Sequence, residues 1–163
     1  MNIKMKIHTI GVYNSTEKEF FDKLVDNKID LFCDIRQRRG VRGAQYKYVN
    51  SNYLQFKLSD LRINYKYIKD LAPTDEIRQA QKEADKLNGE TKKQRNTLGF
   101  VFRSKYNKLI LEKFDFDALV MDFKQIEAQN IALFCVEEFP AACHRSLVAE
   151  RLAKKLNCEV INL

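Results

Sequence analysis

Apolar and polar residues alternate from Ile3 through Met5, Ile7 and Thr9 toward Gly11, the two-residue period of a strand. Thr16 then stands three positions before Glu19, and Phe20, Phe21, Leu24 and Val25 follow at helical spacing, so a capping box opens a first helix there. Leu31 to Ile35 is a short, largely apolar run, the signature of a second strand. Leu54, Leu58 and Leu61 predict a helix from about Asn52 to Arg62. Tyrosines and lysines alternating from Asn64 to Ile68 predict a third, more exposed strand.

The second half repeats the alternation of elements. Pro73-Thr74 opens a polar helix through Glu76, Ile77, Ala80 and Ala84 that ends at Asn88-Gly89, and Gly89 to Thr97 is polar and basic, as a mobile loop would be. Phe100 to Lys113 and Phe116 to Ala128 carry apolar residues at helical spacing. Ile131 to Val136 reads as a buried strand, Leu147, Val148, Leu152 and Leu156 as a helix following Cys143, and Glu159 to Leu163 as a last strand. Strands alternating with helices predict the α/β class: a single three-layer domain over 1–163 with a mainly parallel five-stranded sheet, Rossmann-like or flavodoxin-like. In such a sheet the strand ends at Gly11, Arg36 and Glu137 share one edge, where open α/β sheets bind ligands. The first strand is expected between the second and the Ile131 strand.

Composition narrows the partners. With 163 residues, 45% hydrophobic and 31% charged, the chain is globular, and no apolar run approaches the roughly 20 residues that span a bilayer. No membrane partner is expected. The opening MNIKMKIHTI alternates instead of building a secretory leader, and the four cysteines are scattered through apolar runs, so reduced thiols in a cytoplasm are expected. A net charge of +7 favours phosphate-bearing partners, either small molecules or nucleic acid. Much of that charge is dispersed lysine. The densest cluster runs from Arg36 through Arg38, Arg39 and Arg42 to Lys47, with Gly40 and Gly43 loosening its backbone.

Cys143, His144 and Arg145 open the last helix, where free backbone N–H groups and the helix dipole favour a thiolate or a bound phosphate. Cys143 is therefore a candidate nucleophile, although neighbouring helical residues point apart and adjacency to His144 does not itself make a Cys-His pair. A C-x5-R phosphatase loop would need arginine where the chain has Ala149. Glu137 and Asp34 end strands, and each is either a general base or the ion-pair partner of Arg145 or Arg36. Cys135 is a small core residue or, two positions from Glu137, part of the same strand face. Zinc would have to collect Cys33, Cys135, Cys143 and His144 or His8, none at the tight C-x2-C spacing, so no metal is expected. With neither G-x-G-x-x-G nor G-x4-G-K-[ST] in the chain, no nucleotide cofactor is expected either. Tyr46, Tyr48 and Tyr53, close behind the basic cluster, either stack on bases or fill the core.

Thr9-Ile10-Gly11, Asp34-Ile35-Arg36, Cys135-x-Glu137 and Cys143-His144-Arg145-Ser146, in that order, resemble the family termed domain of unknown function 488, over nearly the whole chain. The resemblance implies a small α/β domain with an active site whose reaction is undefined. Val12-Tyr13 stands where the family often has His-Ser, and Gln37 to Gly43 where it often has Pro and Ser, which marks a basic R-R-G-V-R-G subgroup.

These readings converge on an anion-binding, catalytic pocket at the C-terminal strand ends, acting on a phosphate-bearing substrate. Cys143, Glu137 and His144 are the catalytic candidates; Arg36, Arg145, Gly11, Ser146, Arg38, Arg39 and Arg42 the anion-binding ones; Asp34 and Cys135 further pocket residues. Two alternatives stand beside it: a non-catalytic nucleic-acid-binding module using loop 36–47, and a thiol redox sensor at Cys143.

Overall fold

The computed structural model describes residues 4–92 and 95–163; Ile3 of the expected first strand, and Lys93 and Gln94 of the expected loop, lie outside the described residues. Five strands, β1 (Lys6–Ile10), β2 (Leu31–Asp34), β3 (Asn64–Tyr67), β4 (Asn130–Phe134) and β5 (Val160–Asn162), form one wholly parallel sheet in the order β3-β2-β4-β1-β5. The expected position of β1 is corrected: β4, not β1, lies next to β2. Relative to the dinucleotide-binding order 3-2-1-4-5, β1 and β4 are exchanged. Both strands are buried on both faces, so their apolar patterns do not rank them. What distinguishes them is lateral: Thr9 Oγ1 donates to Asn162 Oδ1 at 2.6 Å, tying β1 to β5 near the sheet edge.

The strand period divides the core in two. Ile7, Leu31, Cys33, Ile131 and Leu133 face α3 (Asp75–Asn88), α4 (Phe100–Tyr106), α5 (Phe116–Gln125) and α6 (His144–Leu156). Ile10, Phe32, Ala132 and Phe134 face α1 (Glu17–Asp26) and α2 (Ser51–Asp60). This is the three-layer α/β arrangement that alternating strands and helices require, with parallel strands covered on both sides.

Local signals set the helix ends. Thr16 Oγ1 accepts from Glu19 N while Glu19 Oε2 accepts from Thr16 N at 2.7 Å, completing the capping box. Thr74 caps α3, and Gly89, at φ 68°, ends it in the left-handed conformation. The helix expected over 100–113 instead divides into α4 and a π-helical turn at Asn107–Leu111. Tyr106 and Leu111, five apart, would diverge by about 140° on a regular helix, and the widened turn keeps both in the core. Among the described residues no helix is long and apolar enough to cross a membrane.

Candidate functional site

Exchanging β1 and β4 places the loop after β4 between the loops after β1 and β2. The Val12 and Tyr13 amides both donate to the Val136 carbonyl at 3.1 Å, and the Ile35 amide donates to Phe134 O at 3.2 Å. The chains are pressed so closely that a Cβ on Gly11 would lie 2.0 Å from the Glu137 carbonyl oxygen. Gly11 is thus a packing requirement of the strand edge. The buried Arg145 fastens the same loop, donating through Nη1 to the carbonyl of Glu137 and through Nη2 to that of Glu138 at 3.1 Å. Its donors go to backbone, not to the Glu137 carboxylate.

Asp34 and Arg36 pair with each other. The Arg36 Nε and Nη2 donate to the two Asp34 carboxylate oxygens at 2.9 and 2.7 Å, and the Tyr65 hydroxyl donates to Oδ2 at 2.8 Å. The guanidinium lies over the Phe134 ring, 4.7 Å from its centroid. Both side chains are buried, so each satisfies a charge the other would leave stranded. Arg36 Nη1 and Arg145 Nε are without hydrogen-bond partners among the described residues. Farther along the loop, Arg39 stacks over Tyr67 at 4.3 Å, while Arg38, Arg42 and Lys47 are exposed. Tyr48 is in the core against Phe20 and Phe21; Tyr53 is exposed.

Cys143 and His144 lie in contact, through the backbone at Cys143 and not through adjacency alone. Cys143 is the N-cap of α6, with extended backbone at φ −133° and ψ 144°, and only His144 is helical. That change of backbone turns the two side chains together. Cys143 Sγ lies 3.7 Å from His144 Nδ1, and His144 Nε2 lies 2.8 Å from the Ile35 carbonyl. A carbonyl only accepts, so Nε2 carries hydrogen, which in the neutral ring leaves the Nδ1 lone pair facing the sulfur. The Tyr106 ring meets the imidazole edge-on at 5.6 Å. The Cys143 side chain makes no cap to the α6 amides, and the Ser146 hydroxyl is turned back to the Cys143 carbonyl at 2.9 Å.

Cys135 completes the group: its sulfur, that of Cys143 and a ring nitrogen of His144 all lie within 4.8 Å of one another, fully inside the fold. Burial pushes the Cys143 thiol up, but a hydrogen bond from Cys135, the adjacent His144 and the nearby Arg145 outweigh it and hold this thiol well below its ordinary range. Cys135 is held well above, by that same hydrogen bond to Cys143 and by burial. Only one of the two sulfurs is thus disposed to ionise.

The trio opens into a cavity of about 1150 Å³ bounded by α3, α4, Tyr13, the loop after β4, Lys92, Arg95 and residues 97–99. Arg78, Lys82 and Lys86, four residues apart on α3, put three exposed cations along its rim. Glu137 lines it too, with its carboxylate paired to Lys92 Nζ at 2.6 Å. Arg95 pairs with Asp85, and Asp85 accepts from Gln81 Nε2 at 2.7 Å, which holds Arg95 against α3.

Of the residues expected in a pocket, Glu137, Cys135, Cys143 and His144 therefore share this cavity; Gly11, Asp34, Arg36, Arg145, Ser146 and the loop arginines Arg38, Arg39 and Arg42 do not line it. The α3 stripe, Lys92 and Tyr13 are not among the pocket residues the sequence predicts. The four-residue spacing of Arg78, Lys82 and Lys86 is the signal that could have found the rim.

A family model described as Domain of unknown function DUF488 matches residues 16–152. The chain belongs to that family. No curated protein and no solved structure matches it.

Proposed function

We propose that this DUF488 chain is an enzyme that binds a phosphate-bearing substrate in the cavity beside α3 and acts on it through Cys143 and His144. The observation that carries the reading is the 3.7 Å contact between Cys143 Sγ and His144 Nδ1 on the cavity wall, with the imidazole oriented from behind by the Ile35 carbonyl. Nucleophile, base and orienting group stand in the sequence that nucleophilic catalysis needs. The thiol proton passes to Nδ1, the sulfur attacks the electrophilic atom as the bond to the leaving group breaks, and His144 protonates that group. A water deprotonated by His144 then cleaves the new bond to sulfur, and the thiol regains its proton. Arg78, Lys82 and Lys86 on the rim, only partly offset by Glu83 and Glu90 there, support an anionic substrate together with the net charge of +7. Arg145 and Gly11 act as positioning residues, holding the loop that carries Cys135 and Glu137.

The test is a turnover screen against phosphate-bearing small molecules, nucleotides and sugar phosphates included, with the native chain, Cys143→Ser and His144→Gln side by side. Turnover that both variants lose supports the reading. Turnover that persists in Cys143→Ser removes it.

A second reading draws on Arg38, Arg42 and Lys47, three exposed cations on one loop: a nucleic-acid-binding module that neutralises phosphates without turnover. Binding to single-stranded RNA or DNA that weakens steeply with salt and survives Cys143→Ser favours it.

A further inference from the structure

We propose that Cys135, Cys143 and His144 form a Zn²⁺ site, with two thiolates and one imidazole as ligands and the fourth position open to the cavity. The proposal rests on the thiol reading above for its consequence: a sulfur bonded to zinc no longer attacks, so the metal masks the nucleophile. Cys143 Sγ and His144 Nδ1 are 3.7 Å apart. A sulfur and a nitrogen at two corners of a tetrahedral zinc site are separated by about 3.6 Å, from bond lengths of ~2.3 Å and ~2.05 Å. This edge of the tetrahedron is already formed, and Cys135 Sγ lies within 4.8 Å of both atoms. The Nε2–H bond to the Ile35 carbonyl at 2.8 Å is the kind of contact that orients a metal-binding imidazole and leaves its other nitrogen free to coordinate.

The donor chemistry selects the metal. Two sulfurs and a nitrogen suit Zn²⁺ and discriminate against Mg²⁺ and Ca²⁺, which take oxygen. Two thiolates neutralise the ion, so the buried site gains no net charge from it. Cys135, Cys143 and His144 also line the cavity, which provides an entry path and leaves room for a water or substrate group as fourth ligand.

Titrating the full-length, metal-free chain with Co²⁺ alone and then displacing it with Zn²⁺ tests the site. One equivalent of Co²⁺ is expected to give a sulfur-to-cobalt charge-transfer band and the visible bands of tetrahedral cobalt, and Zn²⁺ to abolish both. Cys135→Ser, Cys143→Ser and His144→Gln should each weaken binding by about 100-fold or more, by analogy with the losses on disturbing metal shells, with Cys158→Ser as an unaffected control. Iodoacetamide alkylation of Cys143, followed in the same samples by peptide mass analysis, should slow at least about tenfold once Zn²⁺ is bound, because the thiolate lone pair that would attack is then donated to the metal. Absence of the charge-transfer band, or a band that persists in the folded Cys135→Ser/Cys143→Ser double variant, overturns the site. Rapid alkylation of the metal-free chain with no cobalt band overturns the zinc site and leaves the thiol reading standing. A cobalt band with slow alkylation of the metal-free chain does the reverse.

Discussion

The cavity wall around Cys143 and the basic loop after β2 handle charge in opposite ways. Around Cys143, Cys135, His144 and Arg145 are buried and most of their polar atoms are matched: His144 to Ile35, Arg145 to the Glu137 and Glu138 carbonyls, Cys135 to Cys143. In the loop, Arg38, Arg42 and Lys47 stand in water. Poor solvation strengthens every interaction at the first place, while water and salt weaken those at the second beyond a Debye length of about 8 Å. Counting cations along the chain draws attention to the loop, whereas the two coupled thiols, one held below and one above the ordinary range, are on the wall. Arg36 joins the two regions. It belongs to the loop by sequence and to the interior by structure, where Asp34 neutralises it.

The sharpest way to break this contrast is to compare activities. Cys143→Ser is expected to lower turnover by about 10⁴-fold or more, as removal of a nucleophile does, and His144→Gln by about 10²–10⁴-fold. The triple variant of Arg38, Arg42 and Lys47 to Ala should leave turnover within about twofold, since exposed substitutions away from a site have small effects. Steady-state kinetics on whichever substrate the screen yields decides it. Equal losses in both regions would erase the distinction.

Stability comes next. Arg36→Met strands the Asp34 carboxylate and should cost about 3–5 kcal/mol, read from urea unfolding. Arg42→Met, from the same cluster, should change stability by no more than about 0.5 kcal/mol. Gly11→Ala falls between, at about 1–3 kcal/mol, because the Glu137 carbonyl must be displaced to admit a methyl group. Should Arg36→Met prove as benign as Arg42→Met, the buried ion pair is not what anchors this strand end.

The smallest expected effects lie in pH and salt. With its thiol held below the ordinary range by Cys135, His144 and Arg145, metal-free Cys143 should reach its alkylation plateau at a lower pH than an ordinary thiol. Its rate should fall only as acid protonates it below that plateau. A free thiol of pKa ~8.5 would still be gaining rate toward pH 9. A Cys143 profile that coincides with that of such a thiol contradicts the assignment. Cys135, held above the range, should alkylate more slowly than Cys143. If the loop binds single-stranded nucleic acid, alanine at Arg38, Arg42 and Lys47 should reduce the slope of log affinity against log salt by about 0.7 for each phosphate no longer neutralised.

Much of the fold is legible in local pattern. The capping box at Thr16 and Glu19, the glycine end of α3 and the five strands depend on residues within a few positions of one another, and the structure reproduces them. The π-helical turn at Asn107–Leu111 is not legible, because it answers to whether both Tyr106 and Leu111 fit the core. The site divides the same way. Cys143 and His144 are recognisable as candidates from their place at a helix start. Their pairing depends on φ and ψ at one residue, and on an Ile35 carbonyl more than a hundred positions away.

By itself, then, the sequence determined the α/β class, the parallel sheet and the strand edge beyond which Cys135, Glu137 and Cys143 follow, because hydrophobic period and capping are short-range properties of the chain. Only the tertiary structure decided that β4 lies between β2 and β1, that Arg36 and Arg145 bond within the fold, and that Cys135, Cys143 and His144 share one cavity. Each of those outcomes is a choice of neighbour between segments far apart in sequence. Close packing and the need to satisfy buried polar groups make that choice, and neither leaves a mark in local periodicity.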